Sequence, residues 1–166
     1  MSMKSRGAVL VMLGLCACEV PPRPEAPDGP PGDAAAPAPV SGWKLSTDQS
    51  GVSLALERDG TPVARFACLN DGRVFQAQGF ALNPIGSEER LTIGAGDEAH
   101  ALVADPDAPV TGVQGAGSIP PALLEAIEAG GLLSLSYGAQ TLGPLESLGR
   151  VDQTAFVSGC RTILAG

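Results

Sequence analysis

The chain has 166 residues, with 22 glycines and 15 prolines but only one Trp, one Tyr and four Phe. A hydrophobic fraction of 44% is enough for a folded core, and the glycines have no three-residue period, which argues against a strongly disordered or collagen-like chain. The net charge of -8 at pH 7 argues against a nucleic-acid-binding protein, because such proteins contact phosphates with a basic surface.

The first residues have the pattern of an export signal. Lys4 and Arg6 precede an apolar stretch at residues 7–15. This stretch is too short for a membrane-spanning helix, which needs about 20 apolar residues, whereas a short apolar run after positive charge is typical of a signal peptide. Residues 1–17 are therefore predicted to be a signal peptide.

The end of this segment resembles the lipobox of bacterial lipoproteins. The residues are Leu15-Cys16-Ala17-Cys18, and that family has an aliphatic residue three positions before the lipidated cysteine and small residues between them. The resemblance implies that Cys18 receives diacylglycerol. Cys16 is the alternative acceptor, but Leu15 would then stand directly before the cysteine, where the family requires a small residue. An ordinary secretory signal is the other alternative.

A lipidated N-terminal cysteine would attach the mature protein to a membrane without crossing it, because two or more acyl chains give stable anchoring. Glu19 follows Cys18. In enteric bacteria an Asp at that position is the signal for retention in the inner membrane. The expected location is therefore the outer membrane of a bacterial envelope, with the domain in the periplasm.

Residues 18–42 are predicted to be the lipidated cysteine and a tether. Residues 19–42 contain eight of the fifteen prolines and no aromatic residue, so they cannot bury enough apolar surface to fold. A polyproline II conformation would give them a reach on the order of 70 Å, at about 3.1 Å per residue. A second interpretation, as a ligand for a proline-binding module, is disfavoured because no such partner is expected in a periplasm. Residues 43–166 form the predicted globular domain.

The domain is predicted to begin with β-strands. Val52, Leu54 and Leu56 alternate with small or polar residues, which is typical of a strand with one buried face. An Asp59-Gly60 turn followed by a returning strand completes a β-hairpin. Alternation and turn residues then predict strands over residues 61–68, 74–82, 90–95, 98–104 and, as a weaker edge strand, 110–116.

A short amphipathic helix is predicted over residues 122–129, because two prolines precede it and Gly130-Gly131 ends it. Its predicted core-facing residues are Leu123, Leu124 and Ile127. Strand alternation resumes at residues 133–137.

A last helix is predicted to be capped by Asp152 and to end near Arg161. Phe156 and Cys160 lie four residues apart and therefore share a face of this helix. The predicted fold class is β-rich α+β, with six or seven short antiparallel strands and two short helices. The expected packing is a compact sandwich or an open barrel.

The cysteines predict one disulfide bond. Cys16 leaves with the signal peptide and Cys18 is assigned to the lipid, so Cys68 and Cys160 remain as a pair that an oxidising envelope would join. Such a bond would contribute roughly 4 to 5 kcal/mol in the chain-entropy model. Two buried free thiols are the alternative.

The residues that could carry catalysis do not form a recognisable motif. His100 is the only histidine, and the sequence lacks a G-x-S-x-G elbow and the S-x-x-K, C-x-x-C and H-E-x-x-H motifs. The carboxylate pairs Asp97 with Glu98 and Asp105 with Asp107 have the chemistry to bind calcium or to act as acid and base. Both pairs lie at predicted turns, where Asp is favoured for its local hydrogen bonds, and this interpretation is preferred. We therefore expect no catalytic residues, no metal, no cofactor and no enzymatic activity.

From Trp43 onwards, the order of features resembles the invasion-associated locus B family and related envelope proteins. Those proteins have a cysteine that closes an early strand, a short helix, here residues 121–129, a following strand, here residues 132–140, and a terminal helix. The resemblance implies an exported, β-rich domain. This chain differs from the family in its lipobox and in having fewer cysteines.

Two functions are compatible with these features. The first is a non-enzymatic anchored module that binds another envelope protein. With 14 acidic and 7 basic residues between positions 43 and 166, it would attract cationic partners, and an inhibitor of a basic lysozyme-like enzyme is one version. The second is a carrier of a small ligand or lipid in a barrel cavity, although such cavities are usually rich in aromatic residues. An open cavity would favour the carrier, and a filled core would favour the binding module.

Overall fold

The computed structural model describes residues 42–106 and 108–166. Within them are nine strands and two helices. The strands are β1 Gly42–Asp48, β2 Gly51–Arg58, β3 Thr61–Leu69, β4 Val74–Gly79, β5 Arg90–Ala95, β6 Glu98–Ala104, β7 Val113–Gly117, β8 Leu133–Tyr137 and β9 Gln140–Leu142. The helices are α1 Pro121–Glu128 and α2 Arg150–Ala165.

All nine strands belong to one open antiparallel sheet. Their order is β1-β2-β3-β4-β7-β6-β5-β8-β9, so β1 and β9 are the edges. The predicted β-rich α+β class with two helices is confirmed. The sheet has two more strands than the upper predicted number, and these are the edge strands β1 and β9.

Both helices lie on one face of the sheet. α2 packs against β1 to β4, α1 packs against β5 and β6, and the two helices contact each other. The strand register aligns the apolar side chains beneath them: Leu54 pairs with Phe66, and Ile93 pairs with Leu135. These four residues are almost completely buried, as is Phe156 of α2. The predicted inward orientation of Leu123, Leu124 and Ile127 on α1 is confirmed.

β7 lies in the interior of the sheet, between β4 and β6, so its predicted position at an edge is wrong. Its glycines reflect close packing. A Cβ atom at Gly115 would lie 3.0 Å from the Cβ of Leu91 and 3.2 Å from that of Leu102. Glycine therefore makes room for larger side chains on the adjacent strands.

α2 begins one residue after Gly149, which is its N-cap. Asp152 lies in the first turn of α2, so its predicted role as the cap is wrong. An acidic side chain in the first turn still interacts favourably with the helix dipole. Gln153 in the next position donates a hydrogen bond to the carbonyl oxygen of Ile127 in α1, which fixes the two helices to each other.

Candidate functional site

The two cysteines of the domain form a disulfide bond that joins β3 to α2. Cys68 is the penultimate residue of β3 and Cys160 lies in the second half of α2, with their Cα atoms 5.2 Å apart. Both residues are fully buried. The predicted bridge is confirmed, so the alternative of two free thiols is wrong. Cys18, the predicted lipidation site, lies outside the described residues.

α2 approaches the sheet very closely beside this bond. A Cβ atom at Gly159 would lie 2.9 Å from Cγ1 of Val52 in β2, which is too close for a real side-chain contact. Because Gly159 has no Cβ, the helix can rest directly on β2. This contact brings Cys160 within bonding distance of Cys68 on the adjacent strand.

The residues considered for catalysis are dispersed in the structure. Nε2 of His100 donates a hydrogen bond to the carbonyl oxygen of Ser118 at 2.9 Å, which ties β6 to the segment before α1. Asp97 directly precedes β6, Glu98 begins it and Asp105 follows its end, about 24 Å from Glu98 at roughly 3.4 Å per residue. Asp107 lies outside the described residues. Within residues 42–106 and 108–166, no three His, Cys, Asp or Glu side chains form a candidate metal site.

The space beneath the sheet is filled by the two helices. Tyr137, Phe66, Phe75 and Phe156 are among the largest fully buried side chains, and they occupy the side of the sheet where a carrier would hold its ligand. A groove of about 280 Å³ lies between α1 and the end of α2, and one of about 360 Å³ lies between α2 and the β1–β2 turn. Both grooves are open to solvent.

No strand among residues 42–106 and 108–166 pairs with the outer side of β1, and we call the backbone groups on this side the free edge. The N–H of Asn70 donates to the carbonyl oxygen of Ser50, so even-numbered residues of β2 point towards β3 and odd-numbered ones towards β1. In the β1–β2 register Asp48 is opposite Gly51. Even-numbered residues of β1 therefore bond to β2, and the N–H and C=O groups of Trp43, Leu45 and Thr47 point to the free edge.

Side chains along β1 alternate between the two faces of the sheet. Trp43, Leu45 and Thr47 are opposite the buried residues Leu56, Leu54 and Val52 and therefore lie on the face covered by helices. Lys44, Ser46 and Asp48 consequently lie on the uncovered face, and all three are exposed.

The charged side chains of β1 have local partners. Nζ of Lys44 is 2.6 Å from a carboxylate oxygen of Glu57 on β2. The hydroxyl and the N–H of Ser50 both donate to Asp48, at 2.5 and 2.7 Å. These hydrogen bonds hold the pKa of Asp48 below its usual value, so its carboxylate is negative at neutral pH.

The first residues of β1 are held by the segment that follows β9. Nε1 of Trp43 donates to the carbonyl oxygen of Glu146 at 2.7 Å, and the Trp43 ring packs on Phe66 with a centroid distance of 6.0 Å. The guanidinium of Arg58 contacts both carboxylate oxygens of Glu146, at 2.5 and 3.0 Å. This ion pair lowers the pKa of Glu146 and raises that of Arg58.

The two edges of the sheet differ in how well they are protected from pairing with other chains. β9 has three residues, and a very short edge strand is a poor template for pairing. β1 has seven residues without a proline, and its register with β2 has no bulge from Gly42 to Asp48. The free edge of β1 is therefore the better template for an added strand, and we take it as the candidate interaction site.

Sequence reasoning missed this site, although a signal was present. Trp43 and Leu45 alternate with Lys44 and Ser46, which is the period of a half-buried strand. The alternation directly follows the proline-rich segment and is short. The sequence prediction therefore contained no strand here. The position of β1 at the edge of the sheet depends on strand order, which the local pattern does not contain.

No protein-family model, curated protein or solved structure matches the chain. Neither α1 nor α2 is long and apolar enough to cross a membrane.

Proposed function

We propose that this protein is a non-enzymatic bacterial envelope lipoprotein that presents a disulfide-stapled domain for binding to a protein partner through the free edge of β1. The observation that carries the proposal is a seven-residue strand at the edge of the sheet, whose outer backbone groups pair with no other strand in the described part of the chain, on a domain whose core is filled. An exposed sheet edge of this kind binds extended segments through main-chain hydrogen bonds.

The filled interior supports a binding module over a carrier. A small-molecule site usually encloses most of its ligand in a concave pocket. Here the helix-covered face of the sheet is occupied by core side chains, including Phe66, Phe75 and Phe156, which are no more than 1% exposed. Binding is therefore assigned to the surface of the domain.

The N-terminal segment supports an anchored position for this domain. The lipobox-like residues ending at Cys18 and the proline-rich residues 19–42 precede β1 directly in the sequence. A tether with a reach on the order of 70 Å would hold β1 away from the bilayer. The edge strand would then be accessible to partners on the same membrane.

Site-specific photocross-linking tests the proposal. The full chain would carry benzoylphenylalanine at Thr47, beside the free edge, or at Val151, which is 82% exposed on α2. After irradiation of intact cells, we expect a discrete protein adduct from position 47 and none from position 151. Equal adducts from both positions, or none from position 47, would contradict binding at the free edge.

A further inference from the structure

We propose that the partner of the free edge is a second copy of this chain, with the two β1 strands paired antiparallel about a two-fold axis at Ser46. The proposal rests on the proposed function and deepens it by naming the partner. The product would be a continuous sheet that runs through both copies. A two-fold interface of this kind uses the same surface on each copy and closes after two chains.

The direction of the backbone N–H and C=O groups along β1 is compatible with this pairing. A two-fold axis at Ser46 places Leu45 opposite Thr47 of the second copy, and Thr47 opposite its Leu45. Both residues direct their N–H and C=O groups to the free edge, so each of these two pairs can exchange its hydrogen bonds. Between these two pairs, Ser46 lies opposite Ser46 of the second copy in a non-hydrogen-bonded pair.

The side chains of β1 are self-complementary in charge in this register. Lys44 lies two residues before Ser46 and Asp48 lies two residues after it, so each Lys44 is directly opposite Asp48 of the other copy. Both side chains project from the uncovered face. Opposite charges in direct cross-strand pairs stabilise a sheet, and like charges destabilise it.

A competing register with the axis at Leu45 is less favourable. It would place Lys44 opposite Ser46 of the second copy and would bring the two Lys44 side chains into diagonal proximity, which is repulsive. It would also require the backbone of Trp43 to pair, although the Trp43 indole is bonded to the carbonyl of Glu146. The register at Ser46 needs only the backbones of Leu45 and Thr47.

Membrane anchoring would compensate for the small area of a strand-to-strand interface. The first residues of the two antiparallel β1 strands, each four residues from Ser46, would lie about 27 Å apart, at roughly 3.4 Å per residue. Two tethers with a reach on the order of 70 Å could therefore join both copies to one membrane. Confinement to one surface raises the effective concentration of each copy for the other.

Disulfide trapping tests the arrangement in the full, membrane-attached chain. A non-hydrogen-bonded antiparallel pair has its Cα atoms about 4.5 Å apart, so Ser46→Cys should form an intermolecular disulfide visible as a dimer on a non-reducing gel. Ser158→Cys, an exposed position on α2, is the matched control and should give at least tenfold less dimer. Equal dimer from both variants would indicate random collision and overturn the proposal.

Charge variants test the register. In the Ser46→Cys background, Lys44→Asp creates facing acidic pairs and Asp48→Lys creates facing basic pairs, so each should reduce the dimer at least fivefold. Co-expression of the two variants makes every facing pair opposite in charge and should restore a mixed dimer. An intact Cys68–Cys160 bond, checked by mass, would show that each variant is folded. Unchanged dimer in both single variants would overturn the register at Ser46.

The outcomes distinguish this proposal from the proposed function. If Ser46→Cys gives no dimer while the position 47 photoprobe captures a different protein, the free edge binds a partner but that partner is not a second copy. If neither experiment gives a product, both proposals fail.

Discussion

Glu146 connects the segment after β9 to the start of the sheet through two kinds of contact. Its backbone carbonyl accepts from Trp43, and its carboxylate pairs with Arg58. The backbone contact is independent of pH, whereas the carboxylate contact requires the charged form. A substitution of the side chain alone can therefore separate the two.

The variant Glu146→Gln should make the domain less sensitive to acid. Because the Arg58 contact lowers the pKa of Glu146 from its ordinary value of 4.5, the carboxylate stabilises the fold above the unfolded-state pKa. This stabilisation is lost as the pH falls through the folded-state pKa. We expect the wild type to melt slightly above the variant at neutral pH, and the difference to disappear as the pH falls through the lowered folded-state pKa of Glu146. Fluorescence of Trp43, the only tryptophan, would follow unfolding. A pH-independent difference would contradict this role.

The Cys68–Cys160 bond is the strongest single cross-link of the domain. It closes a loop of 92 residues, and removal of such a bond typically costs about 2 to 5 kcal/mol of unfolding free energy. We expect the double variant Cys68→Ala and Cys160→Ala to show this loss in urea unfolding. The wild type in reductant is the control and should lose a similar amount. A loss below about 1 kcal/mol would show that packing of α2 alone holds the helix in place.

At the scale of elements, the sequence correctly predicted strands whose ends are marked by turn residues and whose side chains alternate between apolar and polar. The β2–β3 hairpin has a turn at Asp59 and Gly60, both with positive φ, and Asp-Gly is a strong signal for such a turn. The β5 and β6 boundaries also agree with the prediction. The bounds alone do not give the orientation of β6. Val103 is 73% exposed and faces solvent, whereas Leu102 and Ala104 are buried and face the core.

Properties that depend on strand order could not be read from the sequence. β7 is short and glycine-rich, which resembles an edge strand locally, but its glycines serve contacts with Leu91 and Leu102 across the sheet. β9 has three residues, too few for a periodic pattern. The candidate site also depends on strand order. In the sheet the outer side of β8 is paired with β9 and not with β1, and this leaves β1 at an edge.

A pair of proline variants tests which backbone groups form the free edge. Thr47→Pro removes an N–H that points away from β2, so the unfolding free energy should change by less than about 1 kcal/mol, while the proposed dimer is lost. Ser46→Pro removes an N–H bonded to β2 and should cost about 1 to 3 kcal/mol. Urea unfolding compares the two variants. Equal destabilisation, or a larger effect at Thr47, would contradict the assignment of the Thr47 N–H to the free edge and of the Ser46 N–H to β2.

At the scale of the whole molecule, the sequence predicted the anchor and the disulfide, because both depend on cysteines with few alternative assignments. The pairing of Cys68 with Cys160 is present in the structure. The anchor at Cys18 stays a prediction, as do the tether and the outer-membrane location.

The variant Cys18→Ala tests the anchor. We expect the protein to leave the membrane fraction and to lose the mass of its acyl chains. Cys16→Ala is the matched control, because it changes the neighbouring cysteine but keeps a small residue in the lipobox-like sequence, and it should stay in the membrane fraction. If Cys18→Ala keeps its acyl mass, the assignment of the lipidated residue is wrong.

The position of the disulfide has a mechanical consequence. Cys68 is near the end of β3, so β1 and β2 lie outside the covalent loop that the bond closes. A force applied through the predicted N-terminal tether would act on Gly42, which is paired with Glu57 at the open end of the β1–β2 hairpin. The pairs would then separate one at a time towards the turn, and β1 would peel away at low force while the loop from β3 to α2 resisted.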